Sequence, residues 1–588
     1  MLRHLPFQIA LASVMCLNLA VSPTILSAQQ APADVPTLTI RTNTRFVVVD
    51  VVVTDKKGQP VTGLKADDFT LEENGKKQKI SVFVPAGVAN TVAPAPDRPG
   101  ILSNHPENVV STGVPIVLLL DATNSSFTNQ AYARSQMLRY VVEHGEGRPM
   151  AVVTLSDRLR VLQQFTSNPQ VLIAAIKSYR PEQPILQSGA PPAESHGIAD
   201  NPGARGEAGG ASLALVGVAS QAIRDFADLQ IGYNIERRTL ITLEGMRSLT
   251  RMLGGLPGRK NVVWLTSSLP FDLVPEDRAV SDAELLADLP GQGRQRSVSA
   301  MGAGAQAEEQ RGLYGPEIRQ AEAELASANI AIYPVDLRGL VSGMENSATS
   351  AGSAFNDAAI SDRATSRVSS LQATHGTMEE VAAETGGKPY FNENEIKEGI
   401  ALAASDEKAS YSLGYYPENK KWDGKMRNIK VKVAQGDTQL RYRKGYFAIE
   451  PGPTKDHNFE NDVASALAVG APATQISFMA QAKPGDAGKT RVIFLVDART
   501  LTAEDSGGGK KINVNFYATV WGVGDKSLAA QSIKVDKSFD AATYQQILDH
   551  GMMVPVDLTV PAGGKELRLA VLDNKTGYIG TVSGPLGP

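Results

Sequence analysis

Ile116-Val117-Leu118-Leu119-Leu120 runs straight into Asp121-Ala122-Thr123-Asn124-Ser125-Ser126: five apolar residues, then an acid and a cluster of small, mostly polar side chains. Side chains on a strand alternate between its faces, so an unbroken apolar run predicts a strand covered on both sides. Apolar residues at helical spacing follow from Tyr132 to Val142, and the alternation then repeats. Strand character returns at Ala151–Leu155, Asn261–Thr266 and Ile330–Val335. Helical pattern marks Val171–Ile176, the stretch from Leu213 to Leu253, Glu317–Ser327 and Met378–Thr385. Strands alternating with helices predict an α/β fold, a Rossmann-type parallel sheet flanked by helices. Sheets of this kind take ligands above the carboxyl ends of their strands, where Asp121 stands.

On either side of this region the pattern is purely β. Residues 38–90 form an N-terminal β module: Thr44 to Thr54 is rich in β-branched residues, Asp55-Lys56-Lys57-Gly58 turns the chain, and Asn74-Gly75 is a two-residue hairpin signal. Prolines 94, 96, 99 and 106 mark a linker over 91–112. The central domain is expected over 113–450, with flexible insertions near 181–210, 276–312 and 343–375, where Gly, Ala, Pro and polar residues dominate. From 455 to 588, alternating segments at Gln475–Ala482, Arg491–Asp497, Lys511–Trp521, Met553–Thr559 and Glu566–Leu572 predict an antiparallel β-sandwich.

Composition narrows the chemistry. A chain of 588 residues implies several domains. Lys and Arg number 58 against 62 Asp and Glu, a net charge of −4, so no global field draws the chain to nucleic acid or an anionic membrane. Its one cysteine, Cys16, lies in the apolar run Leu5–Val21, after Arg3-His4 and before Leu26-Ser27-Ala28. Residues 1–28 therefore read as a secretory signal peptide, and its removal leaves a chain without thiols. Disulfides, thiol nucleophiles and cysteine-held metals are then excluded. No other segment approaches 18 consecutive apolar residues, so no integral membrane span is expected after cleavage, and the location is periplasmic or secreted.

At Asp121-Ala122-Thr123-Asn124-Ser125 the sequence resembles the von Willebrand factor A family, whose metal-ion-dependent adhesion site opens with Asp-x-Ser-x-Ser after such a strand. The resemblance extends to the bacterial VWFA-related domain proteins. It runs through Phe46–Thr54, Asp68–Gly75, Gln130-Ala131-Tyr132-Ala133-Arg134, Leu256–Trp264, Ile330–Asp336, Tyr411–Pro417 and Gly445-Tyr446-Phe447, and covers about residues 38–448. It implies a sheet used for adhesion or complex assembly rather than catalysis. It also implies a divalent cation such as Mg²⁺, held by Asp121, Thr123 and Ser125, all hard oxygen donors. The family adds a threonine from a second loop, for which Thr242 and Thr239 are the candidates, Thr242 favoured. It further adds an aspartate after the fourth strand, and here the sequence departs from the pattern. Thr266-Ser267-Ser268 stands in that place, with no carboxylate before Asp272, so the site is incomplete. The other reading of Asp121 is a cap on the helix that follows.

Other motifs carry less. Gly485-Asp486-Ala487-Gly488-Lys489-Thr490 matches the tail of a phosphate-binding loop, but Lys483 replaces its first glycine and a strand follows, which predicts a hairpin turn. The seven histidines include no pair at metal-protease spacing, and no Gly-x-Ser-x-Gly elbow occurs. Asp67-Asp68 and Glu72-Glu73 are expected to be solvated, and the aromatics Tyr411, Tyr415, Tyr416, Trp422 and Tyr446 are expected to seal a sheet rather than form a platform. The expected function is an exported, non-enzymatic adhesion or protein-interaction module acting on an unknown extracytoplasmic protein. The alternatives are a hydrolase with its site at the same crevice, or a structural envelope or secretion component.

Overall fold

The computed structural model describes residues 46–87, 100–106, 114–183, 233–269 except 235, 316–338, 374–391, 396–449, 458–485 except 470, and 489–586. The leader reading of residues 1–28 and most of the three insertions lie outside the described residues.

Five strands form the central sheet: β1 (Ile116–Asp121), β2 (Met150–Leu155), β3 (Leu159–Thr166), β4 (Lys260–Thr266) and β5 (Ile330–Asp336). Their order is β5-β4-β1-β2-β3. β1 pairs in parallel with β2 on one side and β4 on the other, β5 is parallel to β4, and β3 returns antiparallel to β2. A parallel bridge from Val335 to Tyr390 continues the sheet beyond β5. The chain is thus a mixed α/β protein, and its strand order reverses direction at β1, between β2 and β4.

The apolar runs are explained by burial on both faces. Val117 and Leu119 share one core with Leu243, Met246, Leu249 and Leu253 of the helix through 236–253, and with the helix through 316–327. Ile116, Leu118 and Leu120 face the other core, with Ala133, Met137 and Tyr140 of α1 (Phe127–His144) and Leu172 and Ile176 of α2 (Pro169–Ser178). Each such side chain contributes about 1.5–3 kcal/mol by leaving water, far more than any local propensity. β3 has no counterpart in the sequence reading. It is an edge hairpin off β2, turned at Ser156–Arg158, and its mostly half-exposed residues lack the continuous apolar signature.

Strands Val47–Asp55 and Phe69–Glu73 do not form a module by themselves. Val47–Asp55 lies between Ser410–Tyr415 and Thr438–Arg441, and Phe69–Glu73 pairs with Met426–Val433. Residues 410–447, which the sequence reading assigned to the end of the central domain, therefore supply neighbouring strands in both sheets of this module. Their shared core holds Tyr411 and Tyr415, both fully buried, while Tyr416 is exposed and packs on Phe46 with ring centroids 5.1 Å apart. Glu73 departs from the expectation of solvation: it is buried and accepts hydrogen bonds from the hydroxyls of Tyr415 (2.7 Å) and Tyr446 (2.9 Å).

The C-terminal part packs two antiparallel sheets face to face. Phe478 and Phe494 of one meet Phe516 of the other, with Phe494 edge-on to Phe516 at 5.4 Å. Ile101–Ser103, inside the expected linker, is an edge strand of the first sheet, paired with Phe478–Pro484. The phosphate-loop look-alike at Gly485 closes a hairpin, with Gly485 N donating to Lys489 O and strands pairing on either side.

Candidate functional site

At the carboxyl end of β1, the point where the strand order reverses, the chain makes a tight turn before α1. Asp121 does not cap that helix. Ser126 does, its hydroxyl accepting from Asn129 N, while Asp121 Oδ1 accepts from Asn124 N and so closes the turn below the helix. Gln130, fully buried one turn into α1, holds the loop from beneath. Its amide nitrogen donates to the carbonyls of Ala122, Ser125 and Glu182, and its oxygen accepts from Tyr179 OH and Glu182 N. Arg134 donates to the carbonyls of Ile176 and Lys177 at the end of α2. Residues that carried the family resemblance in this segment are thus architectural.

Asp121 is completely buried and saturated. Its Oδ2 accepts from Asn124 Nδ2 (2.8 Å), Trp264 Nε1 (3.1 Å) and Thr266 Oγ1 (2.9 Å). Burial pushes the carboxyl's pKa up, and the hydrogen bonds from Asn124, Trp264 and Thr266 oppose that shift. The Thr123 hydroxyl is directed at the main-chain carbonyls of Leu155 and Ser156 at the end of β2. Ser125 Oγ accepts from Ser267 N (3.1 Å), joining the loop after β1 to the loop after β4. Thr242 Oγ1 accepts from Asn124 Nδ2 (3.2 Å). The structure therefore joins Asp121 and Thr242 through Asn124, sets Ser125 against the loop after β4, and turns Thr123 toward the neighbouring strand. Thr239 is buried on the same helix, and Asp272 lies outside the described residues.

Two residues central to this network had no role in the sequence reading. Asn124 bridges Asp121 and Thr242, and Arg238 donates from Nε to Asn124 Oδ1 (2.7 Å) and from Nη2 to Ser268 Oγ (3.0 Å). Arg238 is 6% exposed; desolvation draws its pKa down, and the Asp121 charge opposes that. A signal for it existed: Arg238 and Thr242 are four residues apart, one turn of helix, and so share a face.

A divalent cation requires oxygens with lone pairs aimed at a common point. Here the Asp121 lone pairs are met by N–H and O–H donors, the Thr123 hydroxyl is turned to main-chain carbonyls, and a guanidinium lies on the far side of Asn124. The residues as arranged do not fit the implied cation. Among the described residues, no group of three or more His, Cys, Asp or Glu side chains is placed to hold a metal ion.

A second charged cluster stands at the end of β5. Asp336 accepts from Arg338 N, Nε and Nη2 and lies 2.9 Å from His375 Nε2, and His375 stacks on Phe391 at 4.2 Å.

Behind the sheet, buried charges tie it to the first β module. Arg259 donates to Tyr333 OH, Gly386 O and Asn261 Oδ1 and lies 3.8 Å from Asp50. Tyr333 OH donates to Asp406, which Arg441 grips with both terminal nitrogens at 2.6 Å.

No protein-family model and no curated protein matches the chain. Among solved structures, an aerotolerance-related membrane protein from Bacteroides fragilis NCTC 9343, with multiple mutations to serines, is 13% identical at a TM-score of 0.22. That alignment covers 50% of this chain and 100% of that one. The conserved hypothetical protein BatB from Bacteroides thetaiotaomicron is 11% identical at a TM-score of 0.21, covering 50% of this chain and 98% of that one. At these TM-scores neither likeness bears on what the chain does.

Proposed function

We propose that this chain is an extracytoplasmic, non-catalytic binding protein, an envelope or secretion-associated component. In this reading it engages a protein partner at the crevice above β1 and β4, on a central domain of the von Willebrand A kind. The observation that carries the reading is the strand order β5-β4-β1-β2-β3, extended past β5 at Tyr390. It sets the Asp121–Ser126 loop at a topological switch point, where open α/β sheets bind ligands. Phe127, directly after that loop, is 48% exposed, a large apolar side chain next in sequence to the polar Asp121–Ser126 turn.

The chemistry of the crevice favours binding over catalysis. A general base needs a free lone pair and a nucleophile within reach. Asp121 is enclosed by donors, the Thr123 hydroxyl is directed at main-chain carbonyls, and the carboxylate–histidine pair at the end of β5 has Asp336 also gripped by Arg338 and His375 stacked on Phe391. The extracytoplasmic assignment rests on the leader-like character of residues 5–21 and the absence of other thiols. No helix among the described residues is long and apolar enough to cross a membrane.

Site-specific photo-crosslinking in the producing cell tests the proposal. A photoreactive residue at Phe127 is expected to yield one discrete protein adduct, and one at Val142, 68% exposed near the far end of α1, or at Leu240, on the helix face turned away from Arg238 and Thr242, to yield none. Adducts of equal yield at all three positions, or at none, would refute the crevice as a docking surface.

A further inference from the structure

We infer that the place a divalent cation would take beside Asp121 is filled by the chain's own Asn124 amide, locked there by Arg238, so that this crevice works without a metal. The inference deepens the binding reading above and rests on it only for what the crevice does, not for how its floor is built.

The orientation of Asn124 follows from its neighbours. Arg238 can only donate and an ionised Asp121 can only accept. Asn124 Oδ1 must therefore face Arg238 Nε, at 2.7 Å, and Nδ2 must face Asp121 Oδ2, at 2.8 Å. The second Nδ2 hydrogen goes to Thr242 Oγ1 at 3.2 Å. One nitrogen thus lies within hydrogen-bond reach of two of the oxygens that the family resemblance assigns to the metal. It performs the joining that a cation would perform, with N–H dipoles in place of charge.

The rest of the set is consistent with that substitution. Three donors already converge on Asp121 Oδ2, from Asn124, Trp264 and Thr266, and a cation there would face the positive ends of all three. Thr266 stands at the end of β4, where a second carboxylate was sought, and its hydroxyl donates to Asp121 rather than contributing a charge. Ser125 Oγ is occupied by Ser267 N. The positive charge that balances Asp121 comes from Arg238, which also donates to Ser268 on the loop after β4. A single guanidinium therefore ties the helix through 236–253 to the loops after β1 and β4. A divalent ion entering this space would have to displace the amide and tolerate that neighbouring charge at low dielectric.

Mn²⁺ titration of the full chain, read by the loss of the free-ion electron paramagnetic resonance signal, decides the matter. The expected result is no bound Mn²⁺ at millimolar ion, and a melting temperature that moves by about 1 °C or less between Mg²⁺ and EDTA. Bound Mn²⁺ that disappears in Asp121→Asn would overturn the inference. A double-mutant cycle tests the lock itself. Arg238→Met and Asn124→Ala are each expected to lower the melting temperature, and the double variant to lose much less than the sum, since the two side chains act as one unit. Additive losses would overturn the claim that Arg238 acts through Asn124. The crosslinking at Phe127 separates this from the functional reading: adducts lost only in EDTA count against a metal-free crevice, whereas absent adducts with no Mn²⁺ bound count against docking alone.

Discussion

Gly255 lies so close to Thr474 that a Cβ on it would stand 1.8 Å from the Thr474 carbonyl oxygen. The approach is made for a purpose: Gly255 N donates to Thr474 Oγ1, and Thr474 in turn donates to Met252 O and to Arg251 O. The helix end beneath the crevice is thereby docked on the C-terminal β region. Gly255→Ala is expected to cost about 2–3 kcal/mol of stability in urea unfolding, since backbone rather than a flexible side chain must move. Gly376→Ala, where a Cβ would meet nothing within 4 Å, serves as the control and is expected to be neutral or slightly stabilising.

Asn104 fastens the segment after the prolines. Fully buried, it donates to the carbonyls of Ala473 and Ile476 and accepts from Phe478 N. Asn104→Ala removes three hydrogen bonds in a buried place, though Ala473 O keeps the one from Thr581 N, at an expected cost of about 2–3 kcal/mol. Limited proteolysis is expected to cut that variant near residues 101–106 faster than the wild type, because the edge strand Ile101–Ser103 loses its anchor. Unchanged cleavage would show that pairing with Phe478–Pro484 alone holds the strand.

The crevice floor ranks its own residues. Asp121→Ala strands four donor contacts in a dry place and leaves Arg238 without its counter-charge, so a loss of about 3–5 kcal/mol is expected. Thr123→Val removes one hydroxyl directed at carbonyls and keeps the volume, for about 1–2 kcal/mol. Urea denaturation of the two variants should preserve that order, and the reverse order would show that Thr123 rather than Asp121 anchors the floor.

How much of this was legible depended on whether the signal was local. The runs Ile116–Leu120 and Asn261–Leu265 declared themselves because burial on both faces leaves an unbroken apolar string. The pairing of Val47–Asp55 with Ser410–Tyr415 joins residues more than 350 positions apart, and such a partner leaves no mark in either segment. Trp264 reads as one more core residue, and only the register of β4 beside β1 brings its indole N–H to Asp121. Arg238 shows in the sequence only its one-turn spacing from Thr242. Its burial is a property of the closed network, not of its neighbours in sequence.

Lys260 offers a test with a definite sign. It is 2% exposed at the start of β4, its ammonium donates to Leu256 O, and burial draws its pKa down to about 7, with the Asp50 charge opposing the shift. The unfolded chain keeps the ordinary value of 10.5, so between about pH 7 and 10.5 the unfolded state carries a proton that the folded state has released. Stability from this group therefore rises with pH across that window, and the full penalty of burying a charge is felt below it. Lys260→Met removes the penalty at the expense of one hydrogen bond. It is expected to stabilise the protein by on the order of 3 kcal/mol at pH 6, with the gain fading as the pH approaches 10. Urea unfolding of wild type and variant at pH 6, 8 and 10 measures it. A stability difference that stays constant over that range would show that the Lys260 ammonium keeps its proton in the folded chain.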